Sequence, residues 1–130
     1  MTATMLQARG LVPTLTANDI KQSLRFYTEG LGFEIAEKME KDGEIGGAML
    51  RAGGAVIGIS QDDFSKGRER TKGVGMRLYL ETEQDIQSLA ERATAAGITL
   101  DDGPGPLPMG PVGFTVTDPD GFRLTITNPF

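Results

Sequence analysis

The sequence predicts an α+β fold made of two copies of one unit, a strand and a helix followed by three strands. Two amphipathic helices carry this reading, because they sit in matching frames about half a chain apart. Asp19-Ile20 opens the first and Asp85-Ile86 the second, 66 residues later. Gly32-Phe33-Glu34-Ile35 follows the first, and Gly97-Ile98-Thr99-Leu100 follows the second, 65 residues later. Four short strand candidates surround each helix, separated by glycine-rich turns.

The first strand is expected over Leu11–Ala17. Asn18-Asp19 then starts a helix, with Asp19 as N-cap and Gln22 at capping-box spacing. Ile20, Leu24, Phe26, Tyr27 and Leu31 recur at near-helical intervals, and Gly30 and Gly32 supply the stop. Strands follow at Phe33–Glu40, Gly47–Arg51 and Ala55–Ser60, the last two joined by a hairpin at Gly53-Gly54. Gln61–Gly73 is polar and charged, and it reads as a mobile, solvated linker. Its basic cluster either clamps an anion or is simply solvated, and Phe64 either anchors the loop or acts as a lid over a pocket.

In the second half a strand at Met76–Glu81 leads to a helix starting near Thr82, where Glu83 and Asp85 suit a helix N-terminus. Its apolar stripe is Ile86, Leu89, Ala93 and Ala96, ended by Gly97. Strands at Ile98–Asp101, Val112–Thr117 and Phe122–Thr127 complete the unit. Asp118-Pro119-Asp120-Gly121 joins the last two as a turn, with Pro presetting φ and Gly accepting a positive φ. Its two carboxylates lack the further oxygen ligands of a calcium loop.

Composition narrows the function. With 130 residues, 38% of them hydrophobic, the chain suits one globular domain. No apolar run approaches the roughly 20 residues that span a bilayer, and Met1–Gly10 lacks the pattern of a secretory signal. The net charge of −5 argues against nucleic acid and would tolerate a cationic ligand. Cysteine and histidine are both absent, which removes disulfides, thiolate chemistry, the commonest metal ligand and the commonest general base. A cytoplasmic location is the default expectation.

Phe26-Tyr27-Thr28-Glu29-Gly30-Leu31-Gly32-Phe33 resembles the helix-end motif of the vicinal oxygen chelate superfamily, the glyoxalases, bleomycin-resistance proteins and dioxygenases. Thr117-Asp118-Pro119-Asp120-Gly121-Phe122 resembles its closing hairpin, and Leu78-Tyr79-Leu80-Glu81 before a helix ending Ala95-Ala96-Gly97-Ile98 fits as well. The resemblance covers Leu11 to Asn128, and it divides the domain into module one (11–60), a linker (61–73) and module two (74–128). It implies two βαβββ modules forming a curled eight-stranded mixed sheet around a cavity, with the helices outside. Many members of this size are homodimers whose cavities lie at the subunit junction. The superfamily holds metal-dependent enzymes and also metal-free proteins that sequester drugs such as bleomycin.

In metal-using members four inward residues, usually His, Glu or Gln, hold a divalent ion. The resemblance places Val12, Gly58, Arg77 (or, one residue earlier, Met76) and Thr125 at those positions. None offers an imidazole or a carboxylate, so no metal and no other cofactor is expected. Strand alternation turns Val12, Thr14 and Thr16 toward the cavity, with Arg77, Tyr79 and Glu81 from the fifth strand and Arg123, Thr125 and Thr127 from the last. The expected lining is therefore Val12, Thr14, Thr16, Met49, Gly58, Arg77, Tyr79, Glu81, Arg123 and Thr125, with Phe64 as candidate lid. Arg77 and Arg123 either attract a carboxylate or phosphate or pair with acids such as Glu81, and Tyr79 either packs or contacts ligand. The first functional reading is a metal-free protein of the bleomycin-resistance-like branch, binding a small aromatic or anionic compound as in antibiotic sequestration. The alternative is a metal-independent isomerase or lyase using Tyr79 or Glu81 as acid or base, with Arg77 holding an oxyanion.

Overall fold

Alternation along the first strand decides which way its sheet faces. The computed structural model describes residues 4–130. In β1 (Thr14–Ala17) Leu15 and Ala17 are buried while Thr14 and Thr16 lie on the opposite, more open face. The Asp19 carboxylate then accepts the N–H groups of Lys21 (3.1 Å) and Gln22 (3.4 Å), two of the donors a helix start leaves unpaired. α1 (Ile20–Arg25) follows and widens into one π-helical turn, Phe26–Gly30, that carries Tyr27 into the core. There Tyr27 meets Phe26 and Phe33 edge to face.

Three strands complete the module: β2 (Glu34–Lys41), β3 (Glu44–Ala52) and β4 (Ala55–Gln61). β4 closes it by pairing parallel to β1, so the sheet runs β1-β4-β3-β2. The second module repeats the plan with β5 (Arg77–Glu81), α2 (Ile86–Ala95), β6 (Asp102–Pro106), β7 (Val112–Thr117) and β8 (Arg123–Thr127), in order β5-β8-β7-β6. The eight strands thus form two four-stranded mixed sheets, each bridged by its own helix.

Several sequence expectations shift. Leu11, Val12 and Pro13 precede the first strand rather than belonging to it. The second helix starts at Ile86, not near Thr82, because Asp85 rather than Thr82 is the cap, accepting the Ser88 N–H at 3.1 Å. Its buried stripe is Ile86, Ala90 and Ala93; Ala96, expected inside, is exposed at the end of the helix. The sixth strand forms at Asp102–Pro106 instead of Ile98–Asp101. Gly and Pro argue against a strand in sequence, but β6 is a sheet edge, where a proline's missing donor costs no ladder bond.

The inter-module segment is not simply solvated. Asp62, at its start, is buried and meets Lys72, at its end, at 2.9 Å, with Arg70 at 3.3 Å. Lys72 also donates to the Asn18 side chain at 2.7 Å. The Lys72 hydrogen bond, and then the Phe64 N–H, hold the Asp62 carboxyl down to about 2.

Both modules contribute to one apolar core, with Leu15, Tyr27, Leu50 and Ile59 on one side and Phe114, Val116 and Leu124 on the other. Gly30 permits their close approach, since a Cβ there would collide with the Ile98 side chain. Polar bonds lock the seam. The Tyr27 hydroxyl donates to buried Asp118 at 2.7 Å, and Asp120 accepts from the Asn18 N–H (2.9 Å) and the Ser23 hydroxyl (3.2 Å). The Asp118-Pro119-Asp120-Gly121 turn is therefore an inter-module latch as well as a hairpin. Burial raises the Asp118 carboxyl, opposed by hydrogen bonds from Tyr27 and the Phe122 and Asp120 N–H groups. The same burial, with the Asp118 charge beside it, pushes the Tyr27 phenol far up.

Candidate functional site

Each sheet has one face packed under its helix and one face left open. On the first sheet the ladder sets Thr14 beside Gly58 and Gly58 beside Met49. A Cβ on Gly58 would touch the Thr14 hydroxyl at 3.0 Å and the Met49 sulfur at 3.4 Å, so these three share the open face. Thr16 continues the row one step along the strand, beside Ser60. Val12 is 46% exposed and stands off the end of the strand, so it reaches none of these neighbours through the ladder.

The open face of the second sheet is the more polar. Arg77 pairs in register with Arg123, and Tyr79 with Thr125. Thr125 lies beside Thr115, their hydroxyls 3.1 Å apart, and Thr115 beside Asp102. Together with Leu107, Pro108 and Met109 these groups line a cavity of about 200 Å³. Among the described residues neither guanidinium forms an ion pair, so of the two alternatives the pairing with Glu81 does not occur. The two guanidinium groups therefore stand in register on this face, with the Asp102 carboxylate on the wall of the same cavity.

Other expected residues fall elsewhere. Glu81 lines a separate recess of about 600 Å³ at the seam of the modules, with Leu31, Phe33, Leu89 and Arg92. Tyr79, between Arg77 and Glu81 on the strand, lines both cavities. Thr127, expected to face the cavity, is buried, and its hydroxyl shares its one proton between the Asn128 carbonyl at 2.9 Å and the Val112 carbonyl at 3.3 Å. Phe64 stays in the inter-module segment with the Arg68 guanidinium 4.3 Å from its ring centre, and it covers neither cavity.

The sequence reading missed Asp102, Thr115, Leu107 and Met109. Thr115 was open to discovery from alternation in the well-marked seventh strand, but Asp102 was hidden by the displaced sixth. It also missed Phe130, whose ring meets Tyr79 edge to face at 6.1 Å.

The architecture is two βαβββ units, each with one open sheet face, and the comparisons assign the family. Residues 10–126 match the model of the Glyoxalase/Bleomycin resistance protein/Dioxygenase superfamily, and the chain belongs to it. No curated protein matches the sequence. Among solved structures, TioX from Micromonospora sp. ML1 aligns with a TM-score of 0.76 at 19% identity, covering 95% of this chain and 100% of that one. TnmS3, an antibiotic binding protein from Streptomyces sp. CB03234, gives 0.71 at 20% identity over 98% and 100%. Virulence protein STM3117 from Salmonella typhimurium gives 0.68 at 25% identity over 97% and 100%.

The positions that the resemblance assigns to a metal centre, Val12, Gly58, Arg77 and Thr125, supply no imidazole or carboxylate. Among the described residues no three acidic, cysteine or histidine side chains are grouped so as to hold a metal ion. The described helices include none long and apolar enough to cross a membrane.

Proposed function

We propose that this chain is a metal-independent binding protein that holds a small aromatic or anionic compound, in the manner of antibiotic sequestration. The observation that carries the reading is the Arg77–Arg123 pair, in register on one open face and in no ion pair among the described residues, with Asp102 on the wall of the same cavity. Guanidinium groups bind carboxylate and phosphate through paired N–H donors, and Tyr79, Met109 and Leu107 add the apolar surface of a ligand pocket. The same pair disfavours a cationic, bleomycin-like ligand. That TnmS3 is an antibiotic binding protein of the same fold supports the reading.

At about 200 Å³ the arginine cavity is small beside the roughly 300–1,000 Å³ of ligand pockets, and every residue lining it belongs to module two. The open face of module one, with Thr14, Thr16, Met49 and Gly58, looks out on a separate sheet. The proposal therefore includes a homodimer in which a second copy covers each open face and completes the cavity. The single domain of two modules joined by 61–73, and a cytoplasmic setting, belong to the same reading. Separation of Glu81 from Arg77 weighs against an isomerase or lyase built on Tyr79, Glu81 and Arg77.

The test is a thermal-shift and titration screen against aromatic carboxylates and acidic antibiotics, run with the unaltered protein, Arg77→Ala and Arg123→Ala. Stabilisation that both variants lose supports the site. Shifts that survive both substitutions, or a stoichiometric divalent ion held by the protein, would overturn it. Sedimentation should report a dimer at the same concentrations.

A further inference from the structure

We propose that Phe130 is a selectivity wall for aromatic anions, forming with Tyr79 an aromatic corner beside the Arg77–Arg123 pair. This deepens the anion-binding reading and rests on it.

The tail that carries Phe130 is placed by bonds, not by chance. The Asn128 N–H donates to the Val112 carbonyl at 2.9 Å, and its side-chain amide donates to the Thr82 carbonyl at 2.9 Å and the Gln84 carbonyl at 3.2 Å. Those contacts tie the end of β8 across the exit of β5. Pro129 then fixes its own φ and holds Asn128 out of helical conformation, which narrows the directions in which the chain reaches Phe130.

The Phe130 and Tyr79 rings lie 6.1 Å apart at 73°, an edge-to-face pair in which Tyr79 lines the arginine cavity and Phe130, outside that lining, packs against it. Both are exposed in the single chain, Phe130 at 66% and Tyr79 at 43%. Tyr79 lies two residues from Arg77 on one strand face, about 6.6 Å along the strand. A benzene or naphthalene ring resting on Tyr79 would point an attached carboxylate toward the guanidinium pair while Phe130 presents a ring edge or face to it. A saturated ring of the same size would fill the space without that contact.

Calorimetric titration of the protein with 2-naphthoate and with its fully saturated counterpart tests this. The unaltered protein should prefer the naphthoate. Phe130→Ala and Phe130→Leu should weaken naphthoate binding about fivefold, the worth of one edge-to-face ring contact, and leave the saturated acid unchanged. Arg77→Ala should weaken both. Unchanged or tighter naphthoate binding in Phe130→Ala overturns the proposal, as does equal loss of both acids. Naphthoate binding that ignores Arg77 but depends on Phe130 sinks the anion reading instead. Failure of the unaltered protein to bind either acid overturns both.

Discussion

Replacing Tyr27 with Phe removes a single oxygen from the seam between the modules, and the structure sets what that should cost. The hydroxyl is fully buried and donates at 2.7 Å to Asp118, whose other oxygen already accepts the N–H groups of Asp120 and Phe122. Hydrogen bonds to charged groups contribute about 1.5–3 kcal/mol, and the orphaned carboxylate oxygen is shut away from water. The expected loss is about 2 kcal/mol, read as a fall of roughly 8 °C in Tm for a chain of this size. The pH dependence provides a second check. Burial raises the Asp118 carboxyl and the Tyr27 bond partly lowers it again, so loss of the hydroxyl raises it further in the folded state. The folded variant then holds its proton more tightly than the unfolded chain, and it regains stability as the pH falls toward the ordinary carboxylate range. Urea unfolding at pH 7 and in mild acid should show the larger deficit at pH 7. A deficit under about 0.5 kcal/mol at pH 7, set against that hydrogen-bond range, would refute the latch. So would a deficit that does not change with pH.

Asp62→Asn should flatten the acid limb of the stability curve. The carboxyl is held down to about 2, so its contribution is present above its ordinary 3.8 and is lost as the pH falls between those values. Thermal melts from pH 5 to pH 2 would check this, and an unchanged slope would remove the buried Asp62–Lys72 pair from the account. Gly73→Ala and Gly67→Ala make a controlled pair, since both glycines have positive φ. A Cβ at Gly73 would strike the Gly121 carbonyl, whereas Gly67 has open space around it. Denaturant titration should therefore find about 1 kcal/mol lost at Gly67 and clearly more at Gly73.

The elements legible in the sequence were those whose signals are local. Asp19 capped its helix as expected, Gly53-Gly54 turned its hairpin, and Val112–Thr117 ran within its expected bounds. The half-chain repeat also announced two equal modules, which the two sheets display. Side-chain alternation placed Thr14, Thr16, Arg77, Tyr79, Arg123 and Thr125 on open faces, because a strand's two-residue period is written in its residues. What stayed hidden depended on partners distant along the chain. Asp118 became a latch only because Tyr27, 91 residues away, arrives beside it. The Asp102–Pro106 strand exists because a neighbouring edge tolerates glycine and proline that a central position would reject. Whether Arg77 and Arg123 were paired or free was likewise undecided by residue type, since a guanidinium's partner is set by register and packing. The sequence by itself determined the modules and the polarity of their open faces; only the tertiary structure decided that the two arginines stand in register outside any ion pair among the described residues, and that Glu81 lines a different recess.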